Sequence, residues 1–249
     1  MDVLVVEPGD LDATAARIVT DWLAASPAGT LMPALGTSAL GVYAALGRLR
    51  EAGRLDTRRL RLVQLDEYLG VARDDRRSLI GWLERDVAGP LAIPLERVLR
   101  LAGDTPNPAT ECRRYDAAVA AAGGIDVAIL GLGPNGHLGF NEPPSDVLAP
   151  TRLVDLAEAS LASNARYWGD REEVPRRALT AGMDVILAAR RTLLVVRGAS
   201  KQAILRRLIT EPAAADLPAS WLRTTSGVML LADRAAWPAD LPVPTAVAA

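Results

Sequence analysis

The chain has 249 residues, half of them hydrophobic, and a formal net charge of −2. Such a composition excludes extended disorder and supplies a sizeable core, while offering no global pull toward nucleic acid or an anionic membrane. Cys112 is the only cysteine and His137 the only histidine, which excludes an internal disulfide and argues against a zinc site.

At the amino terminus, Met1-Asp2-Val3-Leu4-Val5-Val6-Glu7 sets acids around a short apolar run, without the basic start of a signal peptide. Short apolar runs at residues 3–6, 30–34, 60–65, 125–130, 193–196 and 228–231 read as buried strands. Residues 11–24, 39–51, 108–122 and 201–210 read as helices, with Pro108 suited to a first turn. Residues 98–101 and 153–156 are further candidate strands. This alternation predicts a three-layer α/β fold, a mostly parallel sheet with helices on both faces. The apolar stretch 182–196 is broken by Asp184, Arg190 and Arg191, so no bilayer span is expected and a cytoplasmic location is. No repeat or linker divides the chain. Residues 1–249 are expected to form one domain, loosely held from about residue 238.

If the sheet is parallel, the turns after its strands meet at one edge, where open α/β folds bind ligands. Four of those turns carry chemistry. Gly36-Thr37-Ser38 precedes a helix, where hydroxyls and free amides suit an anion, although serine and threonine also serve as plain helix caps. Asp66 and Glu67 end a strand, and a carboxyl withdrawn from water there could carry protons; a solvated turn is the alternative. The third turn, Gly131-Leu132-Gly133-Pro134-Asn135-Gly136-His137, continues through Leu138-Gly139-Phe140-Asn141-Glu142-Pro143. Its imidazole can give and take a proton near neutrality, with Glu142 to orient it and Asn135 as a neutral neighbour. Last come Arg166 and Lys201, cations placed to meet a phosphate unless they are ordinary solvated charge.

In this order, the loops resemble the glucosamine-6-phosphate deaminase family, within the superfamily that also holds the 6-phosphogluconolactonases. The likeness runs from about residue 30 to residue 233. It rests chiefly on Leu65-Asp66-Glu67-Tyr68-Leu69-Gly70 and on Gly136-His137-Leu138-Gly139-Phe140-Asn141-Glu142-Pro143. Glu111-Cys112-Arg113-Arg114-Tyr115, Asn164-Ala165-Arg166-Tyr167, Ala178-Leu179-Thr180 and Lys201 support it. The resemblance implies a Rossmann-like fold and a sugar-phosphate substrate, in a monomer or homo-oligomer without cofactor or metal. It implies that Asp66 moves a proton from C2 to C1, while His137, backed by Glu142 and Asn135, opens the sugar ring. Gly36, Thr37, Ser38, Arg166 and Lys201 would hold the 6-phosphate, and Glu67 and Gly136 would complete the pocket.

Several positions depart from the family pattern. Asn135 replaces a common aspartate, and Leu35 and Ala39 replace a threonine and a proline. Asp74-Asp75-Arg76-Arg77-Ser78-Leu79 lacks the usual His-Pro and tyrosine of a lid-like segment. Val154 stands where hexameric members activated by an N-acetylated sugar phosphate are basic, so no such activation is expected. Lactonases typically carry Asp-Glu-Arg where Tyr68 follows here, and they lack Phe-Asn-Glu-Pro. Lactone hydrolysis and a non-catalytic sugar-phosphate-binding paralogue are the alternatives.

Overall fold

In the computed structural model, which describes residues 1–244, seven strands form one parallel sheet. Across the sheet they run β1 (Asp2–Val6), β10 (Val228–Asp233), β9 (Arg191–Val196), β6 (Val127–Gly131), β2 (Thr30–Pro33), β3 (Arg61–Val63) and β5 (Val98–Leu99). Successive side chains on a strand point to opposite faces, and β6 uses both. Val127 and Ile129 pack with α1 (Leu11–Ala24) and α2 (Leu40–Glu51), whereas Ala128 and Leu130 pack with α4 (Pro108–Ala121) and α7 (Gln202–Thr210). Both faces being covered, β2, β6 and β9 read as continuous apolar runs rather than alternating ones. The helix boundaries follow local chemistry: Asn107 caps α4 by accepting from the Thr110 amide at 3.1 Å, with Pro108 in the first turn.

Of the run 60–65, expected as one strand, only residues 61–63 are strand. β3 ends at Val63, and the chain then enters β4 (Asp66–Tyr68), which pairs antiparallel with β8 (Arg177–Thr180), itself paired with β7 (Arg152–Asp155). Buried Gln64 makes that crossing possible. Its amide donates to the Asp66 carbonyl at 3.0 Å and accepts from the Leu101 amide at 3.1 Å, so the chain leaves the main sheet without stranding polar groups. Three helices lie outside the sequence expectation: α3 (Leu79–Leu83), α5 (Glu158–Trp168) and α6 (Met183–Leu187). Residues 239–244, in the tail expected to be loosely held, are mostly exposed. Leu241 packs on the core and its carbonyl accepts from the Trp237 indole at 3.3 Å; residues 245–249 lie outside the described residues.

The order of the strands places the ligand crevice. From β2 the chain continues outward to β3 on one side, and from β6 it continues to β9 on the other. Strand order therefore reverses between β2 and β6, where the loops beyond their carboxyl ends diverge and leave a cleft.

Candidate active site

A cavity of about 490 Å³ occupies that cleft. Asp66, His137, the loop 34–39, Arg166 and Lys201 all line it. Residues read from four separate turns of the sequence thus face one volume.

The loop after β2 leads into α2 with Ala39 at the cap position and no side-chain cap bond. Among the described residues, neither the Thr37 nor the Ser38 hydroxyl makes a hydrogen bond, so the helix-cap alternative does not hold. An open helix amino terminus with two free hydroxyls suits a phosphate. A Cβ at Gly36 would meet nothing within 4 Å, so packing does not demand glycine there. Lys201, the chain's only lysine among 28 basic residues, sends its ammonium 2.6 Å to the Leu132 carbonyl. Burial, and then the charge of Arg166, lower its pKa. An arriving dianion would offset both effects.

Asp66 is buried at the first position of β4, with no hydrogen bond to its carboxylate among the described residues. Loss of water, and then the neighbouring Glu67 charge, push its pKa up to about 8. A carboxyl so placed can exchange protons near neutrality. Glu67 takes a different path from the expected one. One residue along a strand reverses side-chain direction, and Glu67 lies outside the cavity lining. Its carboxylate accepts from the amides of Tyr68 (2.9 Å), Leu79 (2.9 Å) and Ile80 (2.7 Å) and from the Gln64 amide (3.0 Å). It ties the start of α3 to β4 and serves as scaffold, while its burial raises its own pKa.

The histidine turn folds tightly on itself, the Gly133 amide donating to the His137 carbonyl at 3.1 Å. A Cβ on Gly133 would lie 2.1 Å from the imidazole Cδ2 and 2.2 Å from Nε2, so only glycine admits this ring orientation. Gly136, with φ +87°, is also outside the cavity lining; it shapes the turn, and its carbonyl accepts from the Ala219 amide at 2.8 Å. Behind the ring, His137 Nδ1 lies 3.1 Å from Glu142 Oε2, the oxygen that also accepts from Asn135 Nδ2 at 2.7 Å. Burial alone would raise the Glu142 pKa, but bonds to His137, Ser160 and Asn135 outweigh it and hold the group at about 2. A fixed carboxylate on Nδ1 keeps the proton there. With the proton on Nδ1 alone, Nε2 on the other edge carries the lone pair. Glu142 lies against the imidazole and Asn135 against Glu142, and neither lines the cavity.

The sequence reading missed much of one wall. Tyr68, Trp82, Phe140, Tyr167 and Trp168 line the cavity, which is half of the chain's ten aromatic residues. Trp82 meets Tyr167 edge-on at 4.8 Å, and the Arg77 guanidinium sits 4.4 Å over Trp168 while pairing with Asp75. These contacts fasten α3 and the segment before it to the end of α5. In a chain only 4% aromatic, Tyr167-Trp168 directly after Arg166 was the available signal. Arg197 also lines the cavity, paired with Asp12 of α1.

Residues 11–231 match the family model described as glucosamine-6-phosphate isomerases/6-phosphogluconolactonase. Glucosamine-6-phosphate deaminase 1 of Bacillus subtilis (strain 168) is 36% identical over 227 residues, 91% of this chain and 94% of the relative. The glucosamine-6-phosphate deaminase of Geobacillus sp. (strain WCH70) is 35% identical over 225 residues, 90% of each chain. A solved monomeric glucosamine-6-phosphate deaminase superposes with a TM-score of 0.91 at 35% identity, covering 95% of this chain and 98% of its own. The 6-phosphogluconolactonase of Thermotoga maritima shares the fold, with a TM-score of 0.72 at 19% identity over 94% of this chain and 99% of its own. By sequence over most of its length and by fold, the chain belongs to the glucosamine-6-phosphate isomerase/6-phosphogluconolactonase family.

Proposed function

We propose that this chain is a glucosamine-6-phosphate deaminase, converting glucosamine 6-phosphate and water to fructose 6-phosphate and ammonium. The observation that carries the proposal is the shared cavity, in which a carboxyl poised near neutrality and a carboxylate-backed imidazole face an anion-binding loop. The free helix terminus with Thr37, Ser38, Arg166 and Lys201 holds the 6-phosphate. His137 Nε2 shuttles a proton between the ring oxygen and the anomeric hydroxyl, opening the pyranose to its aldehyde. That carbonyl acidifies C2. Asp66 takes the C2 proton, leaving an enolamine, and returns it to C1. Water then adds to the imine carbon at C2, and ammonia leaves as ammonium. Each general acid–base step contributes about 10²–10⁴-fold. The described chain acts as one catalytic domain, and no helix in it is long and apolar enough to cross a membrane. We place the enzyme in the cytoplasm.

Ammonium release from glucosamine, galactosamine and mannosamine 6-phosphates, beside acid release from 6-phosphogluconolactone, tests the proposal. Ammonium from the glucosamine epimer with no acid from the lactone is expected. Acid from the lactone without ammonium from any amino sugar overturns it.

A further inference from the structure

His137 is held from behind by more than the acid and amide that sequence suggested. Ser160, fully buried in the first turn of α5, brings its hydroxyl oxygen to 3.2 Å from His137 Nδ1. The Ala157 amide, just before that helix, donates to Glu142 Oε1 at 3.3 Å. Glu142 Oε2 is shared, because Asn135 Nδ2 approaches it more closely (2.7 Å) than the imidazole does (3.1 Å). Asn135 is neutral and donates, so it adds no negative charge behind the ring. Two acceptors therefore surround the Nδ1 proton, one a carboxylate oxygen already engaged and the other the Ser160 oxygen.

We propose that Ser160 is a positioning residue for the proposed ring-opening step, fixing the His137 tautomer that presents Nε2 to the substrate. Its hydroxyl oxygen, 3.2 Å from Nδ1, stands beside Glu142 Oε2, 3.1 Å from the same nitrogen, so both oxygens can accept from Nδ1–H. Were Nδ1 bare, Glu142 Oε2 and the nitrogen would face each other as two acceptors with no proton between them. With the proton on Nδ1, that opposition is gone and both oxygens face a donor. The same helix carries Arg166 into the cavity six residues on, about 9 Å along its axis. One rigid element thus holds the imidazole and an arm of the phosphate site.

The kinetic part of this inference rests on the deaminase reading, whereas the spectroscopic part does not. Because the chain has one histidine, protein labelled with ¹⁵N-histidine yields a single pair of ring nitrogens. At a pH where the ring is neutral, the wild type is expected to show a protonated Nδ1 and a bare Nε2. In Ser160→Ala the two resonances should move toward each other as the second tautomer gains population. Its kcat should fall about ten- to a hundredfold, the usual range for losing a hydrogen bond to a charged network. KM for glucosamine 6-phosphate should hold. Ser160→Thr, which keeps the hydroxyl, should restore both spectrum and kcat. A serine that merely fills space would leave the tautomer unmoved. An Ala variant with wild-type nitrogen shifts, or a loss that Thr does not restore, overturns the proposal. If the deaminase reading itself is wrong, the wild type turns over no amino sugar while the nitrogen shifts still separate Ala from wild type.

Discussion

Replacing Asp66 by Asn should stabilise the protein at alkaline pH while removing its chemistry. The folded carboxyl titrates near 8 against an ordinary 3.8, because burial and then Glu67 oppose its charge. A raised folded pKa favours the native state fully below about pH 4, and that advantage is lost as pH climbs through 8. At about 1.4 kcal/mol per tenfold change in proton affinity, the full effect is about 6 kcal/mol. Water in the open cavity reduces it to a few. Asparagine stays neutral throughout, so a gap in favour of the variant should open between pH 5 and pH 9. For a chain of this size that amounts to a Tm difference of about 5–15 °C at pH 9. Thermal unfolding of both proteins by circular dichroism reads it directly, since every other titrating group is common to the pair. The kcat/KM of the wild type should rise with pH toward about 8 as the free base forms. A wild-type and variant Tm difference that stays constant from pH 5 to pH 9 would refute the reasoning.

Gly133→Ala should push the imidazole from its seat, since the new Cβ falls 2.1 Å from Cδ2. A kcat loss of about a hundredfold or more, with little change in KM, is expected from steady-state kinetics. Glu67→Gln presents an amide to donors that need an acceptor, and should lower stability by about 2–4 kcal/mol in urea titrations. Removing that charge should also shift the Asp66 titration in kcat/KM below 8. Lys201→Ala should raise KM about ten- to a hundredfold and spare kcat by comparison; an unchanged KM would remove Lys201 from phosphate binding.

Much of this architecture was legible because buried parallel strands declare themselves as apolar runs. The helix expected at 11–24 is α1 as observed, and the strand expected at 228–231 is β10 with two more residues. Of the small β4–β8–β7 sheet, the candidate strand at 153–156 is β7, one residue earlier, but β4 was not legible, since its pairing with β8 joins residues about a hundred positions apart and Leu65 carries the apolar run up to it. α5 escaped because Glu158-Ala159-Ser160-Leu161-Ala162-Ser163 has few large apolar residues to mark a period. With that helix went Ser160, Tyr167 and Trp168. In the site, Asp66 and Glu67 read as a pair because they are adjacent, yet strand geometry sends one to the cavity and the other to the scaffold. His137 with Glu142 lies within one compact turn, where neighbours in sequence remain neighbours in space, and the expected contact between them is present.

The proposed reaction needs Asp66 and His137 to act on one bound sugar. Glucosamine 6-phosphate should be offered to the wild type, Asp66→Asn and His137→Gln, with ammonium and fructose 6-phosphate quantified together and binding followed by calorimetry. The expected result is equimolar products from the wild type, almost none from either variant, and retained binding in both. Near-wild-type turnover by Asp66→Asn would contradict it.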